Sequence, residues 1–567
     1  MRRHTAYPPP SIALLLLTLV GAPLVWSLWG AVAAGLDTTG WSGLLQDPQT
    51  AHALGLSLWT GLLSATLATL LTAWVLSATV GRAQGAAHTH RLTRWLAPML
   101  AVPHAAFAIG LVALLAPSGW VLRLLSPWAT GLDAPPPWAT TQDPWGLDLV
   151  AVLVFKEVPF LLWAAMAHLQ RPDVARRLQQ ELRLAHTLGY RTSAAWWRVG
   201  WPQLLPRLTA PLLAVLAYSL TVVDVALIIG PTTPPTLAVL AWQWLQDANP
   251  AMNAQGAAAA WLLAGVLVLC AAFAWAANRA PLWRQRWTRG ATPITAALTT
   301  MRQREGTSHM QHLPRMSFLL GLLMLPYLLV LFALLIGSVT GYWPFPQAWP
   351  GAFTWSAWQA VLTSSGTLWT TVWLAGASAS VALTWVVAWL EWAPPPWQAR
   401  AQPLLTLPLV LPAVLWVVGL HRLSLGWQLD TTGAGLWLAH TLACLPYVLL
   451  ALQGPYTGFD PRLRHVAATL GRGPWAFLWQ VKWPLLRSAL AASFAIGFAV
   501  SVAQYLPTLY VGAGRFATVT TEAVNLAAGG QRSLTAAFAW LQWLLPVLVF
   551  ALGTRLGRSQ FSHVFTR

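Results

Sequence analysis

The sequence predicts an all-α, polytopic membrane protein of about twelve transmembrane helices, laid out as two parallel six-helix repeats. Three observations point there. Of 567 residues, 57% are hydrophobic and only 8% are charged, whereas soluble domains average about 25% charged. The apolar residues fall in stretches long enough to cross about 30 Å of hydrocarbon. Finally, the 23 residues LAHTLGYRTSAAWWRVGWPQLLP at 184–206 return as VAATLGRGPWAFLWQVKWPLLRS at 466–488, a constant offset of 282 with ten identities. Repetition of that kind marks a duplicated fold unit.

In chain order, spans are expected near residues 11–35, 53–80, 95–116, 147–169, 208–230 and 257–277. A second set follows near 316–338, 362–390, 403–421, 433–452, 488–510 and 534–553. The N-terminal run is long enough to span, so it reads as a retained first helix and not as a cleaved signal peptide. Between the sets, residues 279–314 are polar, basic and interrupted, the composition of a cytoplasmic linker joining repeats 1–278 and 315–567. An even number of spans in each repeat gives both the same orientation, related by an axis along the membrane normal. Cationic loops stay cytoplasmic. With both termini inside, 28 of the 33 Lys and Arg residues lie on cytoplasmic segments. Only Arg123, Arg422, Arg515 and Arg532 then face outward, and Lys156 is within a span. The +18 net charge therefore reflects topology and contact with the lipid bilayer. Cations scattered over separate segments form no nucleic-acid patch.

The remaining segments follow the same logic. Many of the 38 Trp residues, among them Trp26, Trp29, Trp95, Trp343 and Trp349, fall at span ends and read as aromatic belts. The Pro- and Trp-rich stretch 117–145 is expected outside, as a loop or short interfacial helix. PTTPPTLAV at 231–239 and GAGRFATVTTEAVNLAAGG at 512–530 read as outer loops of partly re-entrant character. Cys270 and Cys444 both lie in apolar spans, so neither a disulfide framework nor a cysteine metal site is expected.

The duplicated stretch reads as a helix closed by a glycine able to take φ > 0, a second helical turn, and a proline suited to the first turn of the next apolar helix. Its identities are Ala185/Ala467, Thr187/Thr469, Leu188/Leu470, Gly189/Gly471, Ala194/Ala476, Trp197/Trp479, Val199/Val481, Trp201/Trp483, Pro202/Pro484 and Leu204/Leu486. This pattern resembles the cytoplasmic "EAA" loop of ABC importer permeases, with a Glu-Ala-Ala start, a Gly at the seventh position and a Pro further on. The duplication is similar to the fused permeases of ferric-iron and thiamine importers. The match departs at its first letter, where Arg183 and His465 stand in place of the glutamate; Glu181, two residues upstream, is a candidate substitute.

The resemblance implies a type I importer permease fold and a non-catalytic pore subunit of a bacterial inner membrane. It implies ATPase coupling through Ala185, Leu188, Gly189 and Pro202 of loop 171–206, and through Ala467, Leu470, Gly471 and Pro484 of loop 454–488. The partners it implies are two copies of a cytoplasmic ATPase and a periplasmic solute-binding protein, with ATP used by the partner and no cofactor on this chain.

Four polar residues at membrane depth are candidates for lining a pathway: Lys156 and Glu157 in FKEVPF, Asp224 in SLTVVDVALIIG, and Gln504 beside Tyr505 in SVAQYLPTLYVG. Charges there are costly unless paired or hydrated. Adjacent residues on a helix diverge by about 100°, so Lys156 and Glu157 are expected to find partners on other helices. The bland alternative for each is a hydrogen bond that fixes helix packing, which is also the expectation for His104 and His440.

No catalytic residue is expected. The two lysines, Lys156 and Lys482, follow no phosphate-cradling GxxxxGK[ST] pattern, so ATP hydrolysis is assigned to another polypeptide. The pairs His88/His90 and His309/His312 sit in polar loops without further ligands, and no metal site is expected. A secondary active transporter also uses internal repeats, but it leaves the duplicated Thr-Leu-Gly…Pro loops unexplained. A membrane transferase has only Asp133 and Asp143 of the outer loop to draw on.

Overall fold

A computed structural model of the chain describes residues 10–79, 95–96, 98–169, 171–190, 192–279 and 316–557. The expected linker lies outside these from residue 280 onward, as do both His pairs singled out above. Among the described residues the chain is helical apart from loops and one isolated β-bridge, Thr340 to Phe353. Among the described residues eleven helices are long and apolar enough to span a membrane, and the bent pair Pro395–Val410 and Ala413–Gly426, taken as one span, makes a twelfth.

The first half comprises α1 (Pro10–Gly35), α2 (Thr38–Gln46), α3 (Thr50–Thr79), α4 (His104–Leu115), α5 (Trp120–Leu125), α6 (Leu147–Leu169), α7 (Pro172–Thr187), α8 (Thr209–Thr221), α9 (Asp224–Ile229), α10 (Leu237–Leu245) and α11 (Pro250–Arg279). The second comprises α12 (Met316–Ser338), α13 (Ser356–Thr363), α14 (Ser365–Trp392), α15 (Pro395–Leu405), α16 (Ala413–Gly426), α17 (Ala434–Thr457), α18 (Arg462–Thr469), α19 (Trp483–Val502), α20 (Leu506–Val511), α21 (Val519–Ala528) and α22 (Arg532–Gly557). The offset of 282 persists well beyond the duplicated stretch. It separates the first residues of α9 and α20, of α10 and α21, and of α11 and α22.

Four of the expected spans are interrupted. The third breaks before Pro103 and the ninth turns by 102° before Pro412, because proline has no N–H to continue the ladder and its ring crowds the preceding turn. The fifth stops at Thr221, passes through an extended Val222, and restarts at Asp224. Its counterpart stops at Val502 and restarts at Leu506. Pro507 opens the restarted helix in the second half, whereas nothing in the local sequence marks the break at Val222.

Both broken spans carry the same spacing: Pro103 is followed seven residues later by Gly110, and Pro412 by Gly419. At each glycine the first helix of the other half crosses. A Cβ on Gly419 would overlap the Ser27 carbonyl of α1, and one on Gly110 would overlap Val330 of α12. The Ser27 hydroxyl donates to the Trp416 carbonyl at the first crossing. Helix α1 therefore packs on α16, and α12 on α4. Tyr327, Val330 and Leu334 of α12 pack in the core cluster that holds α4 and α6, and Ala13, Val20 and Leu24 of α1 pack in the cluster of α14, α16 and α17, while Ala31 and Ala34 at the other end of α1 join the first.

A buried arginine ties the halves together as well. Arg123 is buried on α5, where its guanidinium donates to the carbonyls of Ser118, Trp343, Pro344 and Gln347 and lies 4.0 Å from the centre of the Trp343 ring. Side-chain-free contact at Gly419 is what lets α1 approach so closely, so Gly419→Leu should destabilise the protein by about 1–3 kcal/mol through overpacking. Gly426→Leu, on the same helix with nothing within 4 Å of its would-be Cβ, should be close to neutral. Thermal unfolding of the two purified variants is the check, and equal midpoints would refute the crossing.

Candidate functional site

The two duplicated loops adopt one geometry. In α7, Val174, Leu178, Leu182 and Ala185 are buried while the polar residues between them face out, the pattern of a helix lying on apolar neighbours. It ends in a Schellman cap: Tyr190 N–H donates to Ala185 O at 3.1 Å, Gly189 N–H donates to His186 O at 3.0 Å, and Gly189 sits at φ +87°. The second loop repeats this with Arg472 N–H to Ala467 O at 2.9 Å, Gly471 N–H to Ala468 O at 3.1 Å, and Gly471 at φ +73°. A positive φ at this cap position suits glycine because a Cβ would crowd the following carbonyl. Leu188 and Leu470, the cap residues themselves, are 69% and 73% exposed, whereas Ala185 and Ala467 are buried.

Each loop then contains a single wide turn, Trp196–Gly200 in the first and Leu478–Lys482 in the second, again 282 apart. In each the closing bond spans five residues, Trp201 N–H to Trp196 O and Trp483 N–H to Leu478 O. Such π turns cluster at functional sites. Here each ends two residues before the proline of the repeat, Pro202 or Pro484, which cannot donate to an α-helical ladder. Trp196 is fully buried and donates to Ala73 O of α3 at 2.9 Å, anchoring the first loop to the membrane helices.

Glu181 is half-buried. Its carboxylate accepts from Arg177 Nε at 3.0 Å and from Gln203 Nε2, bracing α7 against the turn beyond the π segment. Arg183 and His465, at equivalent places, are exposed.

Glu157 and Asp224 are set among histidine and tyrosine side chains. Glu157 lies 3.3 Å from His104 Nε2, and the His104 ring lies 4.7 Å from that of Tyr218 on α8. Asp224, the first residue of α9, is within electrostatic reach of His104, Tyr218 and Tyr505. Tyr447 of α17, 38% exposed, is within reach of Glu157. Lys156 reaches the break before Pro103. It is 3% exposed, and its ammonium donates to Met99 O, at 3.0 Å, and to Val102 O. Those carbonyls lie at the break before Pro103, where Met99 O would otherwise accept from a residue without an N–H.

Tyr327 of α12 does the same for α6, donating to Phe155 O, the carbonyl that Pro159 leaves unpaired. Gln504 is half-buried in the break after α19 and donates to Val500 O of that helix at 3.2 Å. His440 is buried between the hydroxyls of Ser501, at 2.7 Å, and Thr508, at 2.9 Å. Among the described residues, no group of three or more His, Cys, Asp or Glu side chains could hold a metal ion.

No family model matches the chain. Over 544 residues it is 33% identical to the inner membrane ABC transporter permease protein YnjC of Escherichia coli, covering 95% of this chain and 94% of that one. The chain belongs to the inner-membrane permeases of ABC transporters. Shorter stretches resemble the molybdenum transport system permease ModB of Mycobacterium tuberculosis, 31% identical over 126 residues covering 20% of this chain and 48% of that one. The thiamine transport system permease ThiP of Haemophilus influenzae is 25% identical over 173 residues covering 28% and 32%.

In this ABC transporter permease the second loop is braced by a residue that sequence reasoning passed over. Glu391, at the end of α14, pairs with Lys482 of the π turn at 2.6 Å and accepts from Tyr456 Oη at 2.9 Å, with the Lys482 ammonium 3.9 Å from the Tyr456 ring centre. The signal available was an acid placed at a span end. Lys482→Met should leave this largely buried carboxylate short of its cation and cost about 2–4 kcal/mol. Adding Glu391→Gln should restore part of that loss. A double-mutant cycle by thermal unfolding measures the coupling, and additive losses would count against the pair.

Proposed function

We propose that this single chain supplies the whole membrane pathway of an ABC importer, with repeats 1–278 and 315–567 joined through 279–314. Its two cytoplasmic loops dock on two copies of a separate ATPase subunit, which uses the ATP, and a periplasmic binding protein delivers a small solute to the outer face. The observation that supports this best is the pair of loops. Sequence, Schellman cap, π turn and exposed leucine recur 282 residues apart, which suits two equivalent partners. Closure of an ATPase dimer would move the loops together and open the halves alternately. The relatives are named for molybdenum, thiamine, ferric and putrescine transport, so the solute class here spans small ions and small organic cations.

Gly471→Val tests docking. Nothing lies within 4 Å of a Cβ at Gly471, so the effect is confined to the left-handed backbone, where a β-carbon costs about 1–2 kcal/mol. The variant should insert in the membrane normally yet lose its ATPase in a pull-down; full recovery of the complex would exclude the docking role.

Asp224→Asn tests the pathway. An unpaired carboxylate at depth costs several kcal/mol, so Asp224 should face the solute or its water. A folded, ATPase-bound Asp224→Asn protein should change transport rate or basal ATP turnover, whereas unchanged transport would leave Asp224 as packing. A cysteine at position 460 should resist an impermeant external thiol reagent in intact cells, as required by cytoplasmic termini.

A further inference from the structure

Beyond Asp173 in the first turn of α7, the outward stripes of the two coupling helices carry cations and no exposed acid. On α7 the exposed stripe opposite the buried Val174, Leu178, Leu182 and Ala185 runs Arg176, Gln180, Arg183, Thr187. On α18 the corresponding stripe is Arg462, His465, Thr469, with Ala467 turned inward. The three carboxylates in these loops are engaged elsewhere. Asp173 lies 3.7 Å from Arg171, Glu181 braces Arg177 and Gln203, and Asp460 accepts from the backbone N–H of Arg462 at 2.9 Å. Among the described residues Arg176 and Arg183 have no ion-pair partner, and His465 meets only the Pro461 carbonyl of its own segment. Beside the cations stand exposed apolar pairs, Leu184 with Leu188 and Val466 with Leu470.

Resting on the docking reading above, we propose that the ATPase surface receiving each loop is acidic, with a carboxylate opposite Arg183 and another opposite His465, beside an apolar recess for Leu188 and Leu470. Arg donates in a planar fork suited to a carboxylate, and an imidazole N–H donates to the same acceptor in either protonation state. A cationic stripe flanked by exposed leucines at one register in both loops is what an acidic, partly apolar protein groove complements.

Lysine scarcity supplies a direct test. The chain has two lysines, Lys156, buried among carbonyls, and Lys482, paired with Glu391. In the full-length Arg183→Lys permease, purified with its ATPase in lipid nanodiscs that contain phosphatidylserine, a carbodiimide should join position 183 to an Asp or Glu of the ATPase, identified by mass spectrometry. The native complex should give no such link. Separately, Arg183→Glu with His465→Glu should lower ATPase recovery about tenfold at low salt. Leu188→Asp with Leu470→Asp should abolish recovery.

If the leucine variants lose the ATPase but an intact Arg183→Lys complex yields no link, or links only to phosphatidylserine, the acidic surface is excluded while docking stands. If the leucine variants keep the ATPase, the docking reading falls and the proposal with it.

Discussion

Inside a bilayer every backbone N–H and C=O must find a partner within the protein, since hydrocarbon offers none. This chain breaks its own helices with proline at several depths, so that requirement governs much of its tertiary structure. Pro103 removes the donor that Met99 O needs, and Lys156 supplies it; Pro159 removes the donor for Phe155 O, and Tyr327 supplies it from the other half. A lysine buried at membrane depth is costly, yet here it replaces hydrogen bonds whose absence would also be costly. Its ammonium thus supplies the donors that the broken helix lacks.

The same economy explains the interlocking of the halves. A helix broken at Pro103 or Pro412 re-aims its second segment, and a glycine seven residues on lets a foreign helix approach to backbone contact. Association in lipid depends on close packing and interhelical hydrogen bonds, with little hydrophobic drive. The crossings of α1 on α16 and α12 on α4 therefore bind each half to the other at the positions where each is least regular.

Duplication has preserved mechanics and released chemistry. Caps, π turns and prolines of the two loops match residue for residue, but their braces differ: Glu181 with Gln203 in one, Glu391 with Lys482 and Tyr456 in the other. The membrane interior diverges further. His104, Lys156, Glu157 and Asp224 all belong to the first half; their counterparts by the shared Pro-to-helix register and the offset of 282 are Ala413, Ala443, Cys444 and Leu506. Glu157 and Asp224 thus lie within electrostatic reach of Tyr447 and Tyr505 of the second half.

What the sequence by itself determined was whatever depends on local chemistry. Hydropathy set the twelve spans, the duplicated stretch set the repeat, and Gly189 and Gly471 announced left-handed caps because that backbone suits a residue without a β-carbon. The break at Val222, the π turns, the packing of each first helix on the other half and the partners of Lys156 and Glu157 were decided only in the tertiary structure. The reason is physical: an orphaned carbonyl or a buried charge can be recognised in sequence as needing a partner, but which helix brings that partner depends on packing between segments hundreds of residues apart. Glu391 shows the limit most plainly, an ordinary acid at a span end until Lys482 is folded against it.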